Sequence, residues 1–216
     1  MGFSAKTLLV IDTIIGRGSI SFWMNGGEIA SRTLPDDAPQ SETLLGSIDE
    51  MLRTALIDPD RVECLAVTVG PGSYTGIRVG IATALGIAVT KEIATIGVST
   101  LAAIASAATG AVGLHRLAVL GIGGEDLIAQ EFSFNGLKLE SVSAPVIINI
   151  SQLGEFRPCE IITDKKTLVK MESSGVKAAA APENLAKLIG EGLVSGLIEG
   201  SYDDLTPVYS REVSIG

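Results

Sequence analysis

The stretch Gly70-Pro71-Gly72-Ser73-Tyr74-Thr75-Gly76 is what most limits how this chain can fold. It follows a continuous apolar run, Cys64 to Val69, that reads as a buried strand, and it precedes Ile77 to Val89, which reads as a helix. A strand that passes through a glycine loop into a helix belongs to an α/β fold. The spacing is G-x-G-x-x-x-G, so the loop lacks the Lys-Ser/Thr pair of a phosphate-binding P-loop and does not match the dinucleotide fingerprint. Two readings stay open. Backbone N–H groups at a helix N-terminus attract anions, so Gly70, Gly72, Ser73, Thr75 and Gly76 can cradle a phosphate. Alternatively the glycines only permit a tight turn, with Ser73 or Thr75 capping the helix.

The rest of the chain repeats the alternation of strand and helix. Thr7 to Ile11 is a buried strand ending at Asp12, and Ser19 to Met24, Asn25-Gly26-Gly27 and Glu28 to Leu34 form a hairpin. Ser41 is placed as N-cap of a helix whose stripe runs Leu44, Leu45, Ile48, Met51, Leu52 and Ala55. Ala94 to Val98 is a strand, and Ser99 caps a helix over Thr100 to Ala108. Past Gly110 the order restarts. Arg116 to Ile122, Leu127 to Phe134 and Leu137 to Val142 read as strands joined by glycine turns, Cys159 to Thr163 as a buried strand, and Pro182-Glu183 as the start of a helix reaching about Val194. We expect two α/β halves of related design, 1–109 and 110–216.

The chain has 216 residues and a formal charge of −9, with 16 basic and 25 acidic side chains. A protein that grips nucleic acid by its phosphates carries a basic patch. Only Lys165-Lys166 and Lys170 approach one, and acids flank them. Cys64 and Cys159 lie in apolar runs and are expected to be buried thiols of a reducing cytoplasm. No apolar stretch reaches membrane-spanning length, and the expectation is a soluble, cytoplasmic protein with no metal site.

Several polar residues are candidates for chemistry. Asp12 can hold a metal-bound water or cap the turn from Thr13 to Gly18. Arg78 lies in the first turn of its helix, where a cation opposes the helix dipole, so it needs an acid, a carbonyl or a ligand phosphate unless it is merely solvated. His115 is the only histidine and has no nearby cysteine or acid pair in sequence. Glu125-Asp126 follows Gly123-Gly124 and reads as a solvated hairpin tip. No residue is assigned as catalytic.

Val69 to Ala84, together with Ile11-Asp12-Thr13, Gly97-Val98-Ser99-Thr100-Leu101 and Pro207-Val208-Tyr209-Ser210-Arg211, resembles the TsaB (YeaZ-like) family. That resemblance implies an actin-like (ASKHA) ATPase fold of two related subdomains, the second reduced. It implies a supporting subunit that pairs with TsaD, the subunit that carries the metal and transfers threonylcarbamoyl to adenosine in tRNA. TsaE, an ATPase, joins that complex, and tRNA is reached indirectly. Pairing uses helices of the first subdomain, here with Leu45, Asp49, Leu52, Ile77, Gly80, Ile81 and Ala84 at the interface, and the same face gives homodimers. ATP or ADP at the partner interface would meet Asp12, Gly70, Gly72, Ser73, Thr75, Gly76 and Arg78. Two departures stand out: Gln40-Ser41-Glu42 replaces a His-Ser-Glu, and Gly121-Ile122-Gly123-Gly124-Glu125 replaces a polar Asp-Ala-Arg turn. With its polar side chains gone, that turn argues against ATP hydrolysis by the chain alone. A small-molecule kinase or ATPase of the same fold is the rival expectation.

Overall fold

The computed structural model describes residues 5–108, 112–156, 160–210 and 214–215, the last two by backbone only. The first half runs β1 (Thr7–Asp12), β2 (Ser19–Met24), β3 (Gly27–Thr33), α1 (Gln40–Thr54), β4 (Cys64–Gly70), α2 (Tyr74–Lys91), β5 (Ala94–Ser99) and α3 (Thr100–Ala105). The second runs β6 (His115–Gly123), β7 (Asp126–Phe134), β8 (Leu139–Ser141), β9 (Val146–Asn149), a 3-10 turn (Ile150–Glu155), β10 (Glu160–Thr163), α4 (Lys165–Ser173), β11 (Ala179–Ala180) and α5 (Leu185–Ser195). Two short strands close the chain, β12 (Ser201–Tyr202) and β13 (Ser214–Ile215).

The two sheets have matching strand order. One is β12-β5-β4-β1-β2-β3, and the other is β11-β10-β6-β7-β9-β13 with β8 paired to β7. In each, an antiparallel meander (β1-β2-β3, or β6-β7-β9) feeds a helical element, and parallel strands follow (β4 and β5, or β10 and β11). The second half is the reduced one, because six residues of 3-10 turn stand where the first half has the 15-residue α1.

Strand side chains alternate between faces, and each face here has a core to fill. Leu8 and Val10 point with Ala66, Ile96 and Val98 into a core shared by both sheets, which Leu101, Ile104, Ala118, Leu120, Leu185 and Ile189 complete. Leu9 and Ile11 point the other way, under α1, with Phe22, Leu44, Ile48, Met51, Leu52 and Val67. Leu117, Val119, Leu127 and Met171 form the outer core of the second sheet. The sandwiched helices are α3 and α5. Although α5 comes late in the chain, it packs on β1 and β2 of the first sheet. The Ser21 hydroxyl donates to Ala186 O at 2.8 Å, Ala186 N donates to the Ser19 hydroxyl at 2.9 Å, and an added Cβ on Gly190 would enter the Trp23 indole.

Three helix starts differ from the sequence expectation. The N-cap of α1 is Pro39, whose carbonyl accepts from Glu42 N (2.9 Å) and Thr43 N (3.2 Å), and Ser41 is an exposed residue of the first turn. Helix α2 starts at Tyr74, three residues before Ile77, because Ser73 caps it. Helix α5 starts at Leu185 behind Asn184, whose side chain accepts from Lys187 N at 3.1 Å, so Pro182-Glu183 lies in the lead-in. Cys64 is buried, and burial pushes its thiol up to about 11. Cys159 and Arg211 lie outside the described residues, as does the expected boundary at 109/110. Among the described residues, no helix is long and apolar enough to cross a membrane.

Candidate functional site

The glycine loop is packed from three sides by the chain itself. The Gly70–Pro71 peptide is cis, and Gly70 has φ 111°, where a side chain is strained. A Cβ at Gly70 would meet the Val208 carbonyl, one at Gly72 would meet Ile14, and one at Gly76 would meet the Thr13 carbonyl. Thr13 Oγ1 donates to Gly76 O at 2.7 Å and locks the first turn of α2 to the turn after β1. Ser73 Oγ accepts from Gly76 N at 3.2 Å, so Ser73 is the cap and Thr75 is an exposed first-turn residue. Gly70 and Gly76 thus lie against backbone carbonyls and Gly72 against the Ile14 side chain.

Asp12 is fully buried at the end of β1. Its carboxylate accepts from Ile14 N (3.1 Å), Ile15 N (3.4 Å) and the Thr68 hydroxyl (2.9 Å). Burial raises its pKa to about 6, and these three hydrogen bonds limit the rise. Both oxygens are thus engaged in capping the turn to Gly18, which is the structural one of its two expected roles.

Arg78 has aromatic partners. Its guanidinium lies 4.0 Å from the Tyr74 ring centroid, its Nε donates to the Tyr209 hydroxyl at 3.3 Å, and the two rings stand 5.0 Å apart. The Tyr209 hydroxyl raises the pKa of Arg78. A cation at this end of a helix is thereby compensated by π-electrons and a phenol oxygen.

A cavity of about 590 Å³ lies between the halves, lined among others by Ile14, Gly72, Ser73, Gly121, Lys165 and Lys166. A second, of about 750 Å³, opens beside it at Gly72, Tyr74, Ile122, Tyr209 and Ser210. The second-half wall of the first cavity is the start of α4, which the sequence reading did not include. Asp164 caps it, with one carboxylate oxygen accepting from Lys166 N (3.0 Å) and Thr167 N (3.4 Å). The available signal was Thr163-Asp164 at a strand end followed by a cationic, periodic stretch. Gly121 N donates to Thr167 Oγ1 at 2.9 Å, so this N–H of the polar-poor turn is engaged within the second half. The charged groups lining the cleft are balanced, Lys165 and Lys166 against Asp164 and Glu183, with Lys165 paired to Glu183 at 3.0 Å.

The expected partner face divides in two. Leu52, Ile77, Gly80 and Ala84 are buried within this chain, and a Cβ on Gly80 would reach Thr13 and Val67. This corrects the expectation that the small residues of α2 face outward: Gly80 and Ala84 turn toward the sheet and bring the helix close to it. Ile81 is half-buried, while Leu45 and Asp49 are exposed. Outside lie Leu45 (62% exposed), Leu85 (45%) and Val89 (76%), with Ala82, Gly46 and Gly86. Added Cβ atoms on Gly46 and Gly86 would meet nothing within 4 Å.

The remaining candidates have local partners. His115 Nδ1 contacts the Glu131 carboxylate across β6 and β7. Glu125 sits at the β6–β7 tip, where its carbonyl accepts from Ile150 N. Among the described residues, no group of three or more His, Cys, Asp and Glu side chains is placed to hold a metal ion.

Residues 33–158, more than half of the chain, match the family described as TsaD, tRNA N6-adenosine threonylcarbamoyltransferase. The tRNA threonylcarbamoyladenosine biosynthesis protein TsaB of Escherichia coli K12 is 34% identical over 101 residues, and that of Haemophilus influenzae Rd is 36% identical over 107. Each match takes in 47% of this chain and 43% of the relative, so the chain aligns with less than half the length of either. The solved structure of YeaZ from Pseudomonas aeruginosa superposes with TM-score 0.71 at 19% identity, over 94% of this chain and 99% of that one. Component A of (R)-2-hydroxyglutaryl-CoA dehydratase from Acidaminococcus fermentans superposes with TM-score 0.50 at 13% identity, over 88% of this chain and 97% of that one. The fold is actin-like, with two related α/β units of which the second is reduced. With its signature loop, its paired sheets and these relatives, the chain belongs to the TsaB (YeaZ-like) family, within the wider family of the TsaD description.

Proposed function

We propose that this chain is a non-catalytic cytoplasmic subunit that binds and activates a TsaD-type threonylcarbamoyltransferase in the formation of threonylcarbamoyladenosine in tRNA. One observation carries the reading: the outward face of α1 and α2, two helices in mutual contact, exposes Leu45, Leu85 and Val89 around the open glycines 46 and 86. Exposed apolar residues gathered on one face mark an interaction surface. The two bacterial relatives, both tRNA threonylcarbamoyladenosine biosynthesis proteins by name, supply the process. The face we assign keeps Leu45, Asp49 and Ile81 and adds Ala82, Leu85 and Val89. A TsaE-type ATPase joins the pair, tRNA is met through the complex, and a second copy of this chain competes for the same face. The division into 1–109 and 110–216 belongs to this reading, with the cleft between the two parts. ATP or ADP at the partner interface would lie near Gly70, Gly72, Ser73, Thr75, Gly76 and Arg78.

Gel filtration of this chain with the TsaD-type protein of the same organism tests the proposal. A stable complex is expected, together with loss of threonylcarbamoyladenosine on depletion. Leu85→Glu should abolish the complex and leave the isolated chain folded. Failure of the two proteins to co-elute, with normal modification levels after depletion, would end the proposal.

A nucleotide-binding ATPase or small-molecule kinase is the second reading, favoured by the cavity of about 590 Å³ between Ser73 and Lys165-Lys166. Calorimetry with ATP and Mg²⁺ separates the two. Tight binding and turnover by the isolated chain would favour the enzyme.

A further inference from the structure

After α5 the chain returns to the first sheet. β12 pairs antiparallel with β5, Ser201 opposite Gly97 and Tyr202 opposite Ile96. Asp203 N donates to Thr95 O at 2.8 Å, and Thr95 N donates back to the Asp203 carboxylate at 3.2 Å. The Asp204 carbonyl lies where a Cβ on Gly97 would be. Val208 N then donates to Val69 O at 2.8 Å, and the Val208 carbonyl seats on Gly70. Tyr209 stacks beside Tyr74 and takes the Arg78 hydrogen bond. Finally β13 pairs with β9 of the second sheet, Ser214 opposite Val146. Residues 201–209 therefore run from β5 past the end of β4 to the start of α2, and 214–215 pair with the second sheet.

The grip is local and thin. Residues 201–204 and 206 are exposed, and Leu205 and Tyr209 are the partly buried apolar residues that pack on the cores. Segments with few buried apolar contacts and exposed backbone hydrogen bonds open below the cost of global unfolding. The first turn of α2 is held on one side by Thr13 through Gly76 and on the other by Tyr209 through Tyr74 and Arg78, while Val208 holds the end of β4 at Val69 and Gly70. Release of the segment removes the Tyr209 side of that support and leaves the Thr13 contact, the Ser73 cap and the buried Ile77.

We propose that the C-terminal segment is a regulatory belt, latched by Tyr209 on Arg78 and Tyr74, whose release loosens the start of α2 and so weakens the face that α2 shares with α1. The loosening of α2 stands on the contacts above, and its consequence for binding rests on the reading given under Proposed function. On this proposal the docked arrangement exchanges with a released one, and a partner that binds the docked α1–α2 face better shifts the balance toward it.

Hydrogen exchange on the intact chain tests the belt directly. In the unmutated protein, amides of 201–208 and 73–78 should exchange together and ahead of β1 and β4. Exchange of these two segments on separate timescales would overturn the proposal. Tyr209→Ala should speed exchange in 73–80 and 94–99 about tenfold and leave β6 and β7 unchanged. Tyr209→Phe, which keeps the ring and loses the hydroxyl, should restore most of the protection. Unchanged exchange at 73–80 in Tyr209→Ala, or a uniform rise in every element, would also overturn it. In titrations with the TsaD-type subunit, Tyr209→Ala should weaken binding about tenfold, and an unchanged Kd would remove the link to the face. Leu85→Glu separates the two ideas, because it should abolish binding without altering exchange at 73–80. If Leu85→Glu binds normally, the face is wrong, and the exchange data still decide the belt.

Discussion

In the first sheet the chain leaves β1 through a turn that Asp12 caps from below and that α2 covers, with the Thr13 carbonyl pressed on Gly76. At the matching place in the second sheet, β6 runs through Gly121 to Gly124 straight into β7, and added Cβ atoms on Gly123 and Gly124 would meet nothing within 4 Å. The next junction differs in the same way. β4 reaches α2 through a cis Gly70–Pro71 peptide and two further residues, whereas β10 reaches α4 through Asp164 alone. Two units with one strand order thus treat their cleft-side turns in opposite ways. The first presses Gly70 and Gly76 against backbone carbonyls, whereas in the second Gly121 faces only the Thr167 side chain and Gly123 and Gly124 stay open. The apolar and glycine-rich character of a turn does not by itself say which of these it serves.

The sharpest way to break this comparison is to add one methyl group on each side. Gly76→Ala drives a Cβ into the Thr13 carbonyl, which is backbone and cannot swing away. We expect a loss of about 3 kcal/mol or more, roughly 10 °C in Tm for a chain of this size. Gly123→Ala has free space and faces only the strain of its φ of 137°, so a loss of roughly 1 kcal/mol is expected. Equal losses in the two thermal melts would show that the first turn is not held as described.

Asp12 provides a second contrast. Its folded pKa of about 6 lies above the ordinary aspartate value of 3.8, so between these limits the folded chain binds the additional proton. This contribution to stability is complete below about pH 4 and is lost as the pH rises through about 6. Urea unfolding of wild type and Asp12→Asn at pH 7 and pH 4 should therefore show the difference between them moving by about 2 kcal/mol, toward wild type at the acid end. A difference that stays constant with pH would mean that Asp12 is not desolvated.

The smallest expected effects are those of the caps. Ser73→Ala removes one acceptor at α2, for Gly76 N, and Asp164→Ala removes one shared by Lys166 N and Thr167 N. Each should lower stability by about 1 kcal/mol, with Asp164→Ala the larger, as read from denaturant midpoints. The reverse order would place the stronger cap in the first unit.

Much of this arrangement was legible in the sequence because its signals are short-range. The buried strands Thr7–Asp12 and Cys64–Gly70, the turn at Asn25-Gly26 and the Ser99 cap of α3 follow from apolar runs, turn residues and capping chemistry within a few positions. The run Pro145-Val146-Ile147-Ile148 carried a strand signal of the same kind, and the sequence reading passed over β9. The direction of α2 was not legible. Gly80, Ala84 and Ala88 permit close approach by a sheet or by another helix equally well, and only the placement of Thr13 and Val67 decides it. Arg78 poses the same difficulty at longer range. Its hydrogen-bond acceptor, Tyr209, lies 131 residues away, and nothing local to either residue announces the pair. The return of α5 to β2 is likewise set by Ser19 and Ser21, small polar residues that read as ordinary strand surface.

The belt has a consequence for how the protein is made. Ribosomes deliver a chain from its N-terminus, and domains tend to fold as they emerge. Five strands of the first sheet are present by Ser99, but the helix that covers β1 and β2 arrives only with Leu185–Ser195, and the strand that pairs with β5 only with Ser201–Tyr202. Until then the nascent first unit holds a bare sheet edge and an open apolar face, a state that invites pairing with other chains. The earliest part of the protein to be synthesised is therefore among the last to be finished, and truncated translation products should be the aggregation-prone species in the cell.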